Sequence, residues 1–330
     1  MKVSIIIPIY NVSSYIERCL LSVVNQTYKD FECILIDDCG SDNSIAIAQE
    51  FIKKYEDIVS FIILHHDRNR GLSAARNTAL LHAKGEYIYF LDSDDAITPN
   101  CIEELINLSQ KYPDANFIQG NFLDKEGNIS LYGWNEHLPE YCNNHDELEH
   151  YILSVVVTSA CNKIIKKTFL SEHELLFPEG ILHEDMYWSF FLAQHVKAVA
   201  YTNNGTYIYY INNNSITTSS TRQSIIKRYT SRLYASRAFC SSLDKGKKST
   251  KRQRLYIAGN LTCAMMEVAS LHSLKHWIVF WRHVYGIYAH HSRLNKWQHL
   301  FFFFLMPPLC FPINIKGWYW RLHHYIVNNI

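Results

Sequence analysis

Four short apolar runs in the first hundred residues, at 3–9, 31–36, 60–64 and 87–91, alternate with stretches of helical periodicity. That alternation is the signature of βαβ units, and it predicts a doubly wound α/β start with a mostly parallel sheet. Ser14 and Glu17 stand where a capping pair would open the first helix, and a polar turn at 40–44 precedes the second. A third helix is expected over 73–83, ending at Gly85. Pro99 suits the first turn of a fourth running to Tyr112, before a strand near 116–120. Beyond 121 the pattern is mixed, with a helix after Glu184 and two tyrosine-rich strand runs at 199–202 and 207–211.

At 330 residues the chain holds one large α/β domain with an appendage, or two modest domains. Its nine cysteines form an odd set without a CxxC pair, which argues against a disulfide framework or a zinc ribbon and fits reduced thiols in a cytoplasm. The apolar start is too short, and too soon broken by Pro8, for a secretory signal. The net charge of +1 hides an asymmetry. Residues 1–243 carry 20 Lys and Arg against 29 Asp and Glu, whereas 244–330 carry 12 against 2 and five of the seven tryptophans. A basic segment at 245–254 reads as a solvated linker to a helical tail. The apolar stretch at 300–312 is too short and proline-broken to span a bilayer. With Trp277, Trp281, Trp297, Trp318 and Trp320 among Arg and Lys, the tail matches an interfacial membrane segment better than a nucleic-acid platform; a packed helical subdomain is the alternative.

In open α/β sheets ligands sit beyond the carboxyl ends of the strands. The first strand ends in Pro8-Ile9-Tyr10-Asn11, the second in Asp37-Asp38, and the fourth in Asp92-Ser93-Asp94-Asp95. Residues two apart on an extended segment project to one side, so Asp92 and Asp94 can face one site. Paired carboxylates repel unless a cation lies between them. Mg²⁺ or Mn²⁺ beside a nucleotide diphosphate is held in this way, by one or two carboxylates plus phosphate oxygens. Helix capping by these acids is the plainer alternative. No Gly-x-Gly-x-x-Gly follows the first strand, which disfavours hydride transfer. His183-Glu-Asp-Met-Tyr187 is not a zinc-protease HExxH, and His272 with His276 lacks a third ligand at matching spacing.

The segments 3–11, Gln26-Thr-Tyr28, 36–44, 69–77 and 85–95 together resemble the family 2 glycosyltransferases, with their GT-A fold, in order and spacing. Cys161-Asn-Lys-Ile-Ile, His183-Glu-Asp185 and 210–216 are similar to the family's acceptor-side segments, so the resemblance covers about 3–220. One departure is Cys39-Gly40, where Gly-Ser is more usual. The resemblance implies a catalytic domain over 1–220, with a nucleotide-binding half at 1–120 and an acceptor-side half at 121–220, and a helical region over 221–330. It implies donor contacts from Pro8, Tyr10, Asn11, Asp38, Arg76, Asn77, Asp92 and Ser93. Tyr10 would stack on a nucleobase such as uracil and Asp38 would accept from its edge. Asp94, with Asp92, would hold Mn²⁺ or Mg²⁺. Asp185 would be the base, with Glu184 the second choice, giving inversion at the anomeric carbon. The Gln-x-x-Arg-Trp motif of processive members is missing, so addition of one sugar is expected. The implied acceptor is a glycan or polyprenyl-linked chain at the inner face of the cytoplasmic membrane. A non-catalytic scaffold that kept the fold is the rival reading.

Overall fold

The computed structural model describes residues 2–130, 133–134, 137–156, 158–212, 221–243 and 249–290. They fall into two compact units, one formed by Met1–Gly180 with Glu184–Asn213 and the other by Ile181–His183 with Asn214–Ile330.

The first unit begins with β1 (Val3–Ile9), α1 (Ile16–Val24), β2 (Phe31–Asp37), α2 (Ser44–Tyr55), β3 (Ser60–His65), α3 (Leu72–His82) and β4 (Tyr87–Phe90). Next come β5 (Ala96–Ile97), α4 (Cys101–Lys111), β6 (Phe117–Leu123), β7 (Tyr141–Cys142) and α5 (His145–His150), which runs on into a π-helical turn at Tyr151–Val155. The unit closes with β8 (Lys163–Lys166), α6 (Lys167–Glu172), α7 (Glu184–His195) and β9 (Val199–Ile208). One sheet runs in the order β3-β2-β1-β4-β8-β6-β9-β5, with β7 also on β9. The strands β1 to β4 are parallel, as the alternating pattern predicts. The sheet becomes mixed because β8 inserts antiparallel between β4 and β6. Both β2 and β4 flank β1, so the chain changes winding direction there and leaves a crevice beyond the carboxyl ends of β1 and β4.

β1 and β2 are near-continuous runs of branched apolar residues because both faces of the sheet are covered. Their two polar members satisfy each other. Ser4 Oγ donates to Glu32 Oε1 at 2.6 Å, and the same oxygen accepts from Lys84 N. Gly85 N donates to Ser4 Oγ at 2.8 Å, an approach only glycine permits, since a Cβ there would lie 2.5 Å from Ser4 N. A second polar knot sits at the centre of the sheet. Asn162, fully buried at φ +58°, donates to the carbonyls of Gly120 and Asn121 and accepts from Thr206 Oγ1.

Three local expectations are corrected. Ser14 does not cap α1: Tyr15 is its N-cap, with no side-chain cap bond. The turn before α2 supplies the acceptors instead, Ser44 Oγ taking Val12 N at 2.7 Å and Asp42 Oδ2 taking Ser13 N at 2.8 Å. The two tyrosine-rich runs are a single strand, β9. The turn-like Asn203-Asn204-Gly205 between them is carried through a register shift against β6, with the Asn203 amide bonded to Leu138 and Trp134 and the Asn204 amide to Glu104. The basic linker is in part helix, since 251–254 open the second helix of the tail.

The second unit contains α8 (Arg222–Leu243), α9 (Lys251–Ser270) and α10 (Leu274–His290). Thr250 and Gln253 form the capping box that starts α9. The unit packs Leu233, Phe239, Leu261, Val268, Phe280 and Val284 in its core. Arg232 crosses it, reaching Glu267 at 3.3 Å, Asn260 Oδ1 at 3.1 Å and His183 Nε2 at 3.2 Å. Among the described residues no helix is long and apolar enough to cross a membrane. The apolar stretch 300–312 and Trp297, Trp318 and Trp320 lie outside them.

A Cβ on Gly120 would lie 1.8 Å from Thr206 Oγ1, inside the knot around Asn162. Gly120→Ala is expected to destabilise the first unit by about 1–3 kcal/mol, the usual cost of overpacking. Pairing it with Thr206→Ser, which keeps the hydroxyl, should recover little in urea denaturation, because the clash is with the oxygen.

Candidate functional site

The crevice is built from four loops. At the end of β1, Pro8 is buried in the strand and Tyr10 is 44% exposed. Asn11 turns the chain at φ +53° and accepts from Ser41 N at 2.7 Å through Oδ1. At the end of β2 stands the departure Cys39-Gly40. Cys39 itself takes the left-handed conformation, φ +55°, held by Cys39 N donating to Asp37 Oδ1 and by its thiol against the His66 carbonyl. Gly40 packs against Asn11, where a Cβ would meet N and Oδ1 at 3.0 Å.

Two side chains expected at the donor also tie the fold together. Asp38 is 2% exposed and turns inward. Its Oδ1 meets His66 Nδ1 at 2.6 Å and accepts from Arg70 N at 2.8 Å, while Oδ2 accepts from Gly71 N at 2.8 Å. His66 Nε2 continues to Thr78 Oγ1 at 2.9 Å. The carboxylate therefore buckles the ends of β2 and β3 to the start of α3. Asn77 is likewise an anchor, donating to Phe177 O at 2.8 Å and accepting from Phe177 N at 2.9 Å.

Arg76, on the same helix, is buried and bridges two acids. Its Nη2 donates to Asp92 Oδ1 and its Nη1 to Glu184 Oε1, each at 2.8 Å. The guanidinium lies over Phe177, 5.2 Å from the ring centroid, and Phe177 stacks on Trp188 of α7. This bridge brings together Asp92, Arg76, Glu184 and Asp185, which are far apart in sequence. Glu184 and Asp185 both open α7, but their environments differ. Glu184 is paired with Arg76. Asp185 Oδ1 accepts from the adjacent Met186 N at 2.8 Å, and burial, reinforced by Glu184, raises its carboxyl well above the usual range.

The acid cluster follows β4. The Asp92 side chain is 34% exposed, Ser93 is buried, and Asp94 Oδ2 accepts from Asn212 Nδ2 at 3.0 Å. Asp95 is buried, accepting from Tyr207 OH at 2.7 Å and Tyr210 N at 2.8 Å. Burial, then the neighbouring Asp92, raises Asp94; burial, then Asp94 and Asp92, pushes Asp95 up to about 8. These shifts mark an edge with an excess of negative charge. Among the described residues no group of three His, Cys, Asp or Glu side chains is placed to enclose an ion. The donor set, two hard carboxylates with room for outside oxygens, fits a Mg²⁺- or Mn²⁺-type cation completed by diphosphate.

Arg18 carried no signal in the sequence, and Tyr207, Tyr210, Asn212 and Lys163 carried only that of the 207–211 run and the acceptor-side resemblance, which did not tie them to the acids. Arg18, on α1, donates through Nη2 to the Asp94 carbonyl and stacks on Tyr210, 3.5 Å from the centroid. Tyr207, Tyr210 and Asn212 reach the acid cluster from β9 and the segment after it, a contact fixed by pairing across the sheet. Lys163 of β8 is buried, bonds the Cys161 carbonyl at 3.4 Å, and is pushed down to about 8 by burial.

Residues 4–173 match the family model described as glycosyl transferase family 2. The poly(ribitol-phosphate) beta-glucosyltransferase of Bacillus spizizenii is 33% identical over 215 residues, which are 64% of this chain and 32% of that protein. This chain thus spans about a third of that relative's length. The fold is similar to that of Staphylococcus aureus TarS 1–349 in complex with UDP-GlcNAc, with a TM-score of 0.67 at 21% identity, over 85% of this chain and 79% of that one. It is also similar to the mannosyltransferase PcManGT of Pyrobaculum calidifontis in complex with GDP-Man and Mn²⁺, with a TM-score of 0.53 at 14% identity, over 88% and 83% of the two chains. The chain belongs to glycosyl transferase family 2 and has the GT-A fold.

Removing a buried cation leaves its carboxylates uncompensated, which costs about 3–5 kcal/mol. Arg76→Met is expected to lose stability on that scale in urea denaturation. Adding Asp92→Asn and Glu184→Gln to it should recover a large part. No recovery would place the loss in packing against Phe177.

Proposed function

We propose that the chain transfers one sugar from a UDP-linked nucleotide donor to a glycan or polyprenyl-linked acceptor in bacterial surface-polysaccharide assembly, with inversion.

 The observation that carries the proposal is the Arg76 bridge, which sets the acid cluster after β4 and the Glu184–Asp185 pair at one sheet edge. A fold neighbour that binds UDP-GlcNAc and a relative named for glucosylating poly(ribitol phosphate) support a UDP donor and a cell-surface polymer as acceptor.

In this reading Tyr10 stacks on the nucleobase, with Pro8, Asn11 and Ser93 shaping the donor pocket around it. Asp38 and Asn77 hold its walls. Asp92 and Asp94 hold Mn²⁺ or Mg²⁺, which when bound neutralises the leaving diphosphate. Asp185 takes the proton of the acceptor hydroxyl as its oxygen forms the new bond to the anomeric carbon. The bond to the diphosphate breaks on the opposite face, so configuration inverts. Glu184 is tied to Arg76 and keeps Asp185 in place. The catalytic domain spans 1–220, with its donor side in 1–120 and its acceptor side in 121–220, and 221–330 is a helical region that holds the enzyme peripherally at the inner face of the cytoplasmic membrane.

Asp94→Asn should nearly abolish Mn²⁺-dependent UDP binding in calorimetry; unchanged affinity would remove Asp94 from the metal site. Asp185→Asn should keep donor and metal binding while slowing transfer by about two to four orders of magnitude, the usual worth of a general base. Because the Asp185 carboxyl is pushed up to about 7 and works ionised, the native rate should fall as pH drops below about 7, and this limb should vanish in Asp185→Asn. If Glu184→Gln abolishes the limb and Asp185→Asn does not, the base is Glu184. Screening UDP- and GDP-sugars for metal-dependent hydrolysis tests the donor.

A further inference from the structure

The helix α10 has two apolar stripes. Phe280, Val284 and Ile287 are buried in the core of the second unit. Leu274 and Ile278, each 60% exposed, and Tyr285, 72% exposed, form the other. Their spacings of four and seven residues align them on one side of a helix. Exposed Lys275 and Arg282 flank them, and α10 carries no Asp or Glu. Single exposed apolar residues are ordinary on a protein surface, but an aligned row of three large ones marks a surface that meets something.

We propose that this face of α10 docks in the plane of an anionic lipid bilayer, with Leu274, Ile278 and Tyr285 entering the acyl boundary and Lys275 and Arg282 at the headgroups. The proposal rests on the peripheral-enzyme reading above and names the surface responsible. Charge selects the partner: the helix has basic residues and no acidic ones, within a region carrying 12 Lys and Arg against 2 Asp and Glu. A second copy would set this basic face against itself. Length and polarity select the mode, because α10 has 17 residues and fails the requirement for a spanning helix, so it lies on the surface.

The test is co-sedimentation of the full chain with phosphatidylcholine vesicles, with and without phosphatidylglycerol, at low salt. The native protein should bind the anionic vesicles and leave the neutral ones. Ile278→Glu should lower the partition constant at least tenfold. Lys275→Gln with Arg282→Gln should lower it about 25-fold, about fivefold for each charge. These two exposed positions keep the test valid should Ile278→Glu fail to fold by circular dichroism. Native binding that neither variant weakens, or no binding to anionic vesicles, overturns the proposal. So does a native dimer that Ile278→Glu converts to monomer in sedimentation equilibrium, which assigns the face to a second copy. Sugar-nucleotide hydrolysis without vesicles should be equal in native and Ile278→Glu protein. Its failure in both would sink the glycosyl-transfer reading and leave the vesicle result standing.

Discussion

A buried guanidinium between two carboxylates organises the site. Arg76 gives up its hydration on α3, and Asp92 and Glu184 replace it with a charge-assisted hydrogen bond at each Nη, while the faces of Phe177 and Phe90 surround the cation. Buried ion pairs contribute little net stability compared with well-packed apolar residues, so the value of this one is positional. It fixes the loop after β4 to the first turn of α7. The crossover from α6 to α7 is further pinned by Asn77 against the Phe177 backbone.

The acid cluster is clamped with equal care. Tyr207 and Tyr210 hold Asp95, the Tyr207 hydroxyl accepts from Asp92 N at 3.3 Å, and Asn212 holds Asp94. Two unit charges about 5 Å apart repel by about 3 kcal/mol at an effective dielectric of about 20. A free loop would relax that repulsion by spreading. This one is bound to β9, so the repulsion persists until a cation or protons relieve it, and it adds to burial, the larger cause, in holding the carboxyls of Asp94 and Asp95 above their usual range. The sheet thereby holds the acids of this loop together at one edge.

What was legible in the sequence follows from what is local. The apolar runs and their spacing identify β1 to β4, and the acids that end them mark the crevice, because strand ends in a parallel sheet converge whatever the rest of the chain does. The insertion of β8 between β4 and β6, and with it the contact of Tyr207 and Asn212 with the acids, depends on pairing between distant segments that no local pattern records. The partners of Asp38 were hidden for a related reason. An acid at a strand end looks available, but the backbone amides of Arg70 and Gly71, thirty-odd residues on, arrive to take it. Arg18 had no distinguishing neighbours at all.

The charge asymmetry of the chain can be judged on the same physical footing. Residues 1–243 have an excess of acids and 244–330 an excess of bases, and the net charge of +1 conceals both. Screening in physiological salt limits each charge to about 8 Å. An anionic surface therefore responds to the local face it meets and not to the total. It attracts a helix such as α10, with Lys275 and Arg282 beside its exposed apolar row, and repels the acid-rich donor edge.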